Sequence, residues 1–123
     1  MKILIDHNLK TGVFRLLINN GFQAETASFN GLESLTNGKL SAKAFELGFQ
    51  CILTQDRTFI VDAADVLATL PAFAIVLVDT RLLPQVPRHD YLLRFEKALE
   101  SEEIVPKPGK IVHWPSRNWN LNS

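Results

Sequence analysis

Short apolar runs alternate with longer amphipathic stretches along the chain. Three of these runs, residues 3–5, 51–54 and 73–78, are typical of strands covered on both faces. Two weaker strand patterns are residues 22–27 and 110–114. Apolar residues recur at helical spacing between these runs, in residues 13–18, 40–47, 61–70 and 91–99. This order predicts a three-layer α/β/α fold with a mainly parallel sheet of about four to five strands and right-handed crossovers.

The totals favour one domain. The chain has 123 residues, of which 46% are hydrophobic, enough for a single core. We expect the domain to span residues 1–114, and the polar residues 115–123 to form a C-terminal tail. The apolar run before Asp6 has only three residues, unlike a secretory signal, and no apolar run approaches the roughly 20 residues that span a bilayer. The expected location is therefore the cytoplasm, with no membrane partner.

Charge and cysteine content narrow the functional classes. The chain has 13 basic residues (Lys and Arg) and 13 acidic residues (Asp and Glu), so its formal net charge is +0. A nucleic-acid partner must then be held by a local basic patch. The single cysteine, Cys51, excludes an internal disulfide. The chain also lacks a nucleophile elbow, a phosphate-binding glycine loop and zinc-ligand spacing.

Aspartates follow three of the predicted strands. Asp6, Asp56 and Asp79 stand where buried strands end, and in a parallel sheet those ends meet near a topological switch point. Converging carboxylates are the ligands of a hard cation such as Mg²⁺, which supports phosphodiester hydrolysis. The alternative is that each aspartate caps a turn or helix. For Asp79, a simple ion pair with Arg81 is an equally direct explanation.

Three motifs resemble those of one family. Residues 1–9 (MKILIDHNL) are similar to the opening (I/L)-L-(I/V)-D-x-N-L of small bacterial PIN-like proteins. Residues 31–40 (GLESLTNGKL) resemble their G-x-x-x-L-x-N-G-x-L segment, and residues 52–59 (ILTQDRTF) resemble their (I/V)-L-(L/V)-T-x-D-(K/R)-x-(F/L). The motifs occur in the family's order over the first half of the chain.

The resemblance implies a PIN-like fold and a function. Active members are Mg²⁺- or Mn²⁺-dependent ribonucleases, and many are toxins of toxin–antitoxin pairs. RNA is then the expected substrate or ligand, and an antitoxin protein an expected partner. Asp6 and Asp56 match the catalytic, metal-binding carboxylates of the family. Asn8 and Thr54 match supporting positions of the same pocket.

Three departures from the family pattern weaken the predicted metal site. His7, Lys39 and Thr58 stand where relatives commonly carry an acidic residue. A lysine in the site would repel an incoming cation, by about 4 kcal/mol per unit-charge pair at roughly 4 Å and an effective dielectric of about 20. We therefore expect a weakened nuclease or, alternatively, a catalytically inactive RNA- or protein-binding module.

Basic side chains around the predicted pocket offer phosphate contacts. Lys39 and Arg57 are candidate substrate-binding residues, and Lys43 and His7 would complete a basic rim. The alternative for the two lysines is a solvated helix face.

Two tryptophans, Trp114 and Trp119, flank Arg117 near the end of the chain. Such aromatics can stack single-stranded bases. More commonly they close the core or a dimer contact, which is the explanation we favour. A homodimer is therefore among the expected assemblies.

Overall fold

Five strands alternate with four helices along the chain. The computed structural model describes residues 1–84 and 87–120. In chain order the elements are β1 Lys2–Ile5, α1 Gly12–Asn19, β2 Gln23–Thr26, α2 Asn37–Glu46, β3 Cys51–Thr54, α3 Thr58–Thr69, β4 Ala74–Val78, α4 Arg88–Ser101 and β5 Ile111–Trp114. Each strand and helix predicted from the hydrophobic pattern is present. Among the described residues, none of the helices has the length and apolar character needed to cross a membrane.

The strands form one sheet in the order β2-β1-β3-β4-β5, and all four pairings are parallel. The expected α/β fold with a parallel sheet is confirmed. From β1 the chain first moves to one side, to β2, and then crosses to the other side, to β3. The direction of winding thus reverses between β1 and β3, and the carboxyl ends of these two strands form the switch point.

Helices cover both faces of the sheet, which gives three layers. On one face, α1 and α4 pack over alternate strand residues such as Ile3, Ile5 and Val76. On the other face, α2 and α3 pack over Leu4 and Ile75. Helices α1 and α4 approach so closely that a Cβ added at Gly12 would lie 2.8 Å from Leu92 Cδ1.

The connection from β4 through α4 to β5 has the opposite hand from the other three. With this strand order, connections of one hand would place α1 on one face and α2, α3 and α4 on the other. Instead, α4 lies beside α1, and its Tyr91 and Phe95 are buried on that face together with Trp114. The expectation of right-handed crossovers is therefore wrong for the connection from β4 to β5.

One face of β5 is left without a helix over it as a result. Its residue His113 is exposed and Ile111 is half-buried. A groove runs between β5 and α3, and it is lined by Ala63, Ala64, Leu67, Ala68, Gly109, Lys110 and Ile111.

The residues after β5 pack against the domain as far as Trp119. Trp119 is 5% exposed, and its Nε1 donates to Ser101 Oγ at 2.7 Å. Trp114 is also buried, and its Nε1 donates to the carbonyl oxygen of Glu102 at 2.8 Å. The interpretation of both tryptophans as core residues is confirmed. Of the predicted tail 115–123, residues 121–123 lie outside the described residues.

Candidate functional site

Asp6 and Thr54 meet at the switch point. Asp6 follows β1, and its backbone N–H donates to the carbonyl oxygen of Leu53 at 2.9 Å, which extends the pairing of β1 with β3. Side chains alternate between the faces of a strand, so Asp6 and Thr54 both fall on the α2 and α3 side of the sheet. The Thr54 hydroxyl donates to Asp6 Oδ2 at 2.7 Å, and both side chains are buried.

Polar groups surround both oxygens of the buried Asp6 carboxylate. Oδ2 accepts from Thr54 and from Asn8 Nδ2 at 3.3 Å, while Oδ1 accepts from the His7 backbone N–H at 2.8 Å. The His7 ring nitrogen Nδ1 lies 3.1 Å from the same Oδ1. Two carboxylate oxygens offer about four lone-pair positions, so these donors balance the cost of burying the group.

Asn8 is held in place from β3. Its Oδ1 accepts from the backbone N–H of Gln55 at 3.3 Å, and its carbonyl oxygen accepts from the Gln55 side-chain amide. This leaves Asn8 Nδ2 directed at Asp6 and at Thr54 Oγ1, 3.2 Å away. Gln55 is thus a positioning residue that sequence reasoning missed. It occupies the variable position of the T-x-D motif, so no sequence signal marked it.

The backbone of Asp56 is linked to Asp6 through Thr54, and its carboxylate bonds the first residue of α3. The Asp56 backbone N–H donates to Thr54 Oγ1 at 3.0 Å, so the two aspartates are linked through one hydroxyl. Asp56 Oδ1 accepts from the backbone N–H and the hydroxyl of Thr58, at 2.9 and 2.7 Å. These bonds lie at the start of α3, which begins at Thr58, three residues before the helix predicted from apolar spacing. Among the described residues, Asp56 Oδ2 accepts no hydrogen bond.

The N-terminus of α2 borders the site through Asn37. Its Nδ2 lies 2.9 Å from Thr58 Oγ1 and 3.3 Å from Asp62 Oδ2. Lys39, two residues further on, is exposed and forms no ion pair within the described part of the chain. It therefore does not neutralise Asp6 or Asp56 directly.

The predicted basic rim is divided in the structure. Lys43 pairs with Glu46 at 3.3 Å on the exposed surface of the last turn of α2, and His7 is engaged with Asp6. Lys39 and Arg57 remain as exposed cations at the N-termini of α2 and α3. Of the predicted site residues, the structure thus joins Asp6, Asn8, Thr54 and Asp56 in one hydrogen-bond network, and leaves Lys39 and Arg57 outside it.

Asp79, at the end of β4, pairs with Arg81 as the simpler explanation predicted. Its Oδ1 accepts from the backbone N–H and from Nε of Arg81, at 2.9 and 3.2 Å, and its Oδ2 lies 3.1 Å from Nη2. The hydrogen bond from the Arg81 side chain holds the pKa of the Asp79 carboxyl below its ordinary value. This pair is separate from the network of Asp6.

The Asp79–Arg81 pair predicts a pH-dependent stability. Because the pKa of Asp79 is lowered by folding, the pair stabilises the protein at neutral pH. This stabilisation is lost as pH falls from the ordinary aspartate pKa of about 3.9 through the lowered value. We expect Arg81→Gln to destabilise the protein slightly at neutral pH, since solvent screens the pair, and not at all in acid.

Urea unfolding of wild type and Arg81→Gln, measured from about pH 7 to about pH 3, checks this dependence. Arg15→Gln, an exposed arginine of α1, is the matched control. A difference between Arg81→Gln and wild type that stays constant over the whole range would contradict the role of Asp79.

The arrangement can hold one hard cation, although with few ligands. Among the described residues, no group of three or more His, Cys, Asp or Glu side chains is placed to bind a metal ion. Mg²⁺ needs only one or two protein carboxylates, with waters and substrate phosphates completing its shell. Among the described residues Asp56 Oδ2 has no hydrogen-bond donor, and Asp6 Oδ1 keeps only the backbone N–H of His7 if the His7 ring moves away. That ring belongs to a side chain that is 54% exposed. In donor type, the two carboxylates therefore match the ligands that a divalent ion takes.

Comparison with known proteins adds no relative to this description. No protein-family model, no curated protein and no solved structure matches the chain.

Proposed function

We propose that this chain is a PIN-like, Mg²⁺- or Mn²⁺-dependent ribonuclease of low activity, in which Asp6 and Asp56 hold the ion. The observation that carries the proposal is the buried Asp6 carboxylate at the switch point of a parallel sheet, linked through the Thr54 hydroxyl to the backbone N–H of Asp56, which follows the neighbouring strand β3. Ligands of such sheets bind at this place. In the resembling family this activity belongs to many toxins, so the toxin half of a toxin–antitoxin pair is the proposed biological setting.

Each residue of the network has a part in this proposal. Asp6 and Asp56 Oδ2 supply the negative charge, while Thr54 and Asn8 fix the orientation of Asp6. When bound, the ion would supply activation of water and stabilisation of the leaving oxygen. His7 competes for an Asp6 oxygen, and the remaining ligands are few. These two facts are the reason for expecting low activity.

Cleavage of single-stranded RNA in Mn²⁺ tests the proposal. We expect wild type to cleave slowly, and Asp6→Asn and Asp56→Asn each to lower the rate by about 100-fold or more, because each removes a charged ligand. Asp65→Asn is the matched control, since Asp65 is an exposed aspartate of α3. Its rate should equal that of wild type.

Three outcomes of this experiment separate the alternatives. Loss of cleavage in both site variants, with Asp65→Asn unaffected and EDTA inhibiting, supports the assignment. Cleavage that survives in the Asp6→Asn, Asp56→Asn double variant would reject it. RNA binding by a wild type that never cleaves would favour the second candidate function.

The second candidate is a non-catalytic RNA- or protein-binding module with the same fold. It is favoured by the three donors and the His7 ring nitrogen that already surround the Asp6 carboxylate. In this alternative, the network of Asp6 is a structural polar cluster that stabilises the edge of the sheet.

A further inference from the structure

A row of arginines crosses the carboxyl edge of the sheet beyond Asp56. Arg57 follows β3, Arg81 follows β4 and Arg117 follows β5, so three successive loops each contribute one. A cleft at the ends of β4 and β5 is lined by Arg57, Arg81 and His113 around Asp79. A neighbouring cleft is lined by Arg81, Arg117, Asp79 and Leu82. Asp79 and Arg81 are common to both clefts.

The row carries uncompensated positive charge on a chain whose net charge is +0. Asp79 is the one carboxylate that lines either cleft among the described residues, and Arg81 pairs with it. Within the described part of the chain, Arg57 and Arg117 form no ion pair. Two of the three guanidinium groups are therefore free to bind an anion, and all three residues are exposed.

Arg81 is presented in a fixed orientation. Its Nε and Nη2 donate to the two oxygens of Asp79, at 3.2 and 3.1 Å. A planar guanidinium has five N–H donors, so this pairing leaves others directed away from Asp79. Its side chain is 73% exposed. An arginine held in this way loses less conformational freedom when it binds a phosphate.

The spacing of the row favours a polymer over a single small anion. Neighbouring strands lie about 4.8 Å apart, so loops after β3, β4 and β5 spread the three arginines over roughly 10 Å. His113, on the bare face of β5, is exposed and lines the first cleft together with Arg57 and Arg81, so that side of the row is open. Repeating charges at such intervals match the backbone of a single-stranded nucleic acid.

We propose that Arg57, Arg81 and Arg117 bind consecutive phosphates of a single-stranded nucleic acid that runs from the Asp6–Asp56 site across the ends of β4 and β5. The identity of the ligand rests on the proposed function, whereas the binding row itself does not require hydrolysis. The strand would enter or leave the site on the β5 side.

Binding in EDTA tests the row without hydrolysis. The probe is a fluorescein-labelled single-stranded oligouridylate, followed by fluorescence anisotropy between about 50 and 200 mM KCl. The variant is Arg57→Gln with Arg117→Gln, because neither side chain forms an ion pair within the described residues. The matched control is Arg15→Gln with Lys97→Gln, which removes the same charge from exposed positions of α1 and α4.

We expect the row variant to bind about tenfold more weakly at low salt, and its salt slope to fall by about 1.4, since each lost phosphate contact on a single strand removes about 0.7. The control should remain within about twofold of wild type. Equal losses in both variants, or no loss in the row variant, would overturn the proposal. Competition by polyglutamate as strong as that by unlabelled oligouridylate would also overturn it, in favour of an acidic protein.

This experiment and the cleavage assay fail independently. A wild type that cleaves in Mn²⁺, while the row variant binds normally in EDTA, rejects the row and keeps the nuclease. A wild type that binds through the row but never cleaves keeps the row and rejects hydrolysis.

Discussion

Replacing Phe95 by alanine is expected to lower the free energy of unfolding by about 3 to 5 kcal/mol. Phe95 is fully buried between α4 and the sheet, and its ring centroid lies 4.9 Å from that of Trp114 and 5.9 Å from that of Tyr91. The substitution removes these ring contacts and leaves a cavity that rigid neighbours cannot fill. A domain of this size has about 5 to 15 kcal/mol of stability, so a large part would be lost.

Urea denaturation monitored by circular dichroism measures this loss. Phe29→Ala is the matched control, because Phe29 is 82% exposed and the change removes the same atoms. It should change the free energy of unfolding by less than about 0.5 kcal/mol. Similar losses for the two variants would show that Phe95 does not anchor α4 to the sheet.

Thr54→Val is expected to cost about 1 to 3 kcal/mol, although valine has nearly the same shape. The hydroxyl of Thr54 donates to Asp6 and accepts from the backbone N–H of Asp56 and from Asn8. Thr54 is fully buried, so water cannot replace the lost bonds. The variant leaves a buried carboxylate with one donor fewer and a backbone N–H without its partner.

Thr69→Val serves as the comparison for this prediction. The Thr69 hydroxyl also donates, to the carbonyl oxygen of Val66 at 2.9 Å, but Thr69 is exposed at the end of α3. Its substitution should change the free energy of unfolding by less than about 0.5 kcal/mol in chemical denaturation. If Thr54→Val were equally mild, the Asp6 network would not be tightly coupled to the sheet.

Much of the fold could be predicted from sequence because the signals are local. Apolar runs that end in Asp6 and Asp56 mark buried strands and also where those strands stop. Once the strands are parallel, both aspartates must lie on the same edge of the sheet. The strand order could not be predicted, because it depends on the pairing of β1 with both β2 and β3, which the structure shows.

The rest of the site depends on contacts between distant parts of the chain. Gln55 follows β3 and holds Asn8, which follows β1. Gln55 occupies the variable position of the T-x-D motif, so the sequence does not mark it. The bonds between Thr58 and Asp56 could have been predicted, since an aspartate that accepts from the backbone two residues later is typical of a turn. Arg81 and Arg117 come together only because β4 and β5 are neighbours.

The placement of α4 beside α1 also affects which strand we expect to unfold locally first. β5 is paired on one edge and covered by a helix on one face, whereas β1 and β3 are paired on both edges and covered on both faces. Local opening follows such differences in burial, so we expect the amide hydrogens of β5 to exchange with solvent before those of β1 and β3. Asp6 and Asp56 would then follow the slowly exchanging central strands, while the arginines extend to a faster-exchanging edge.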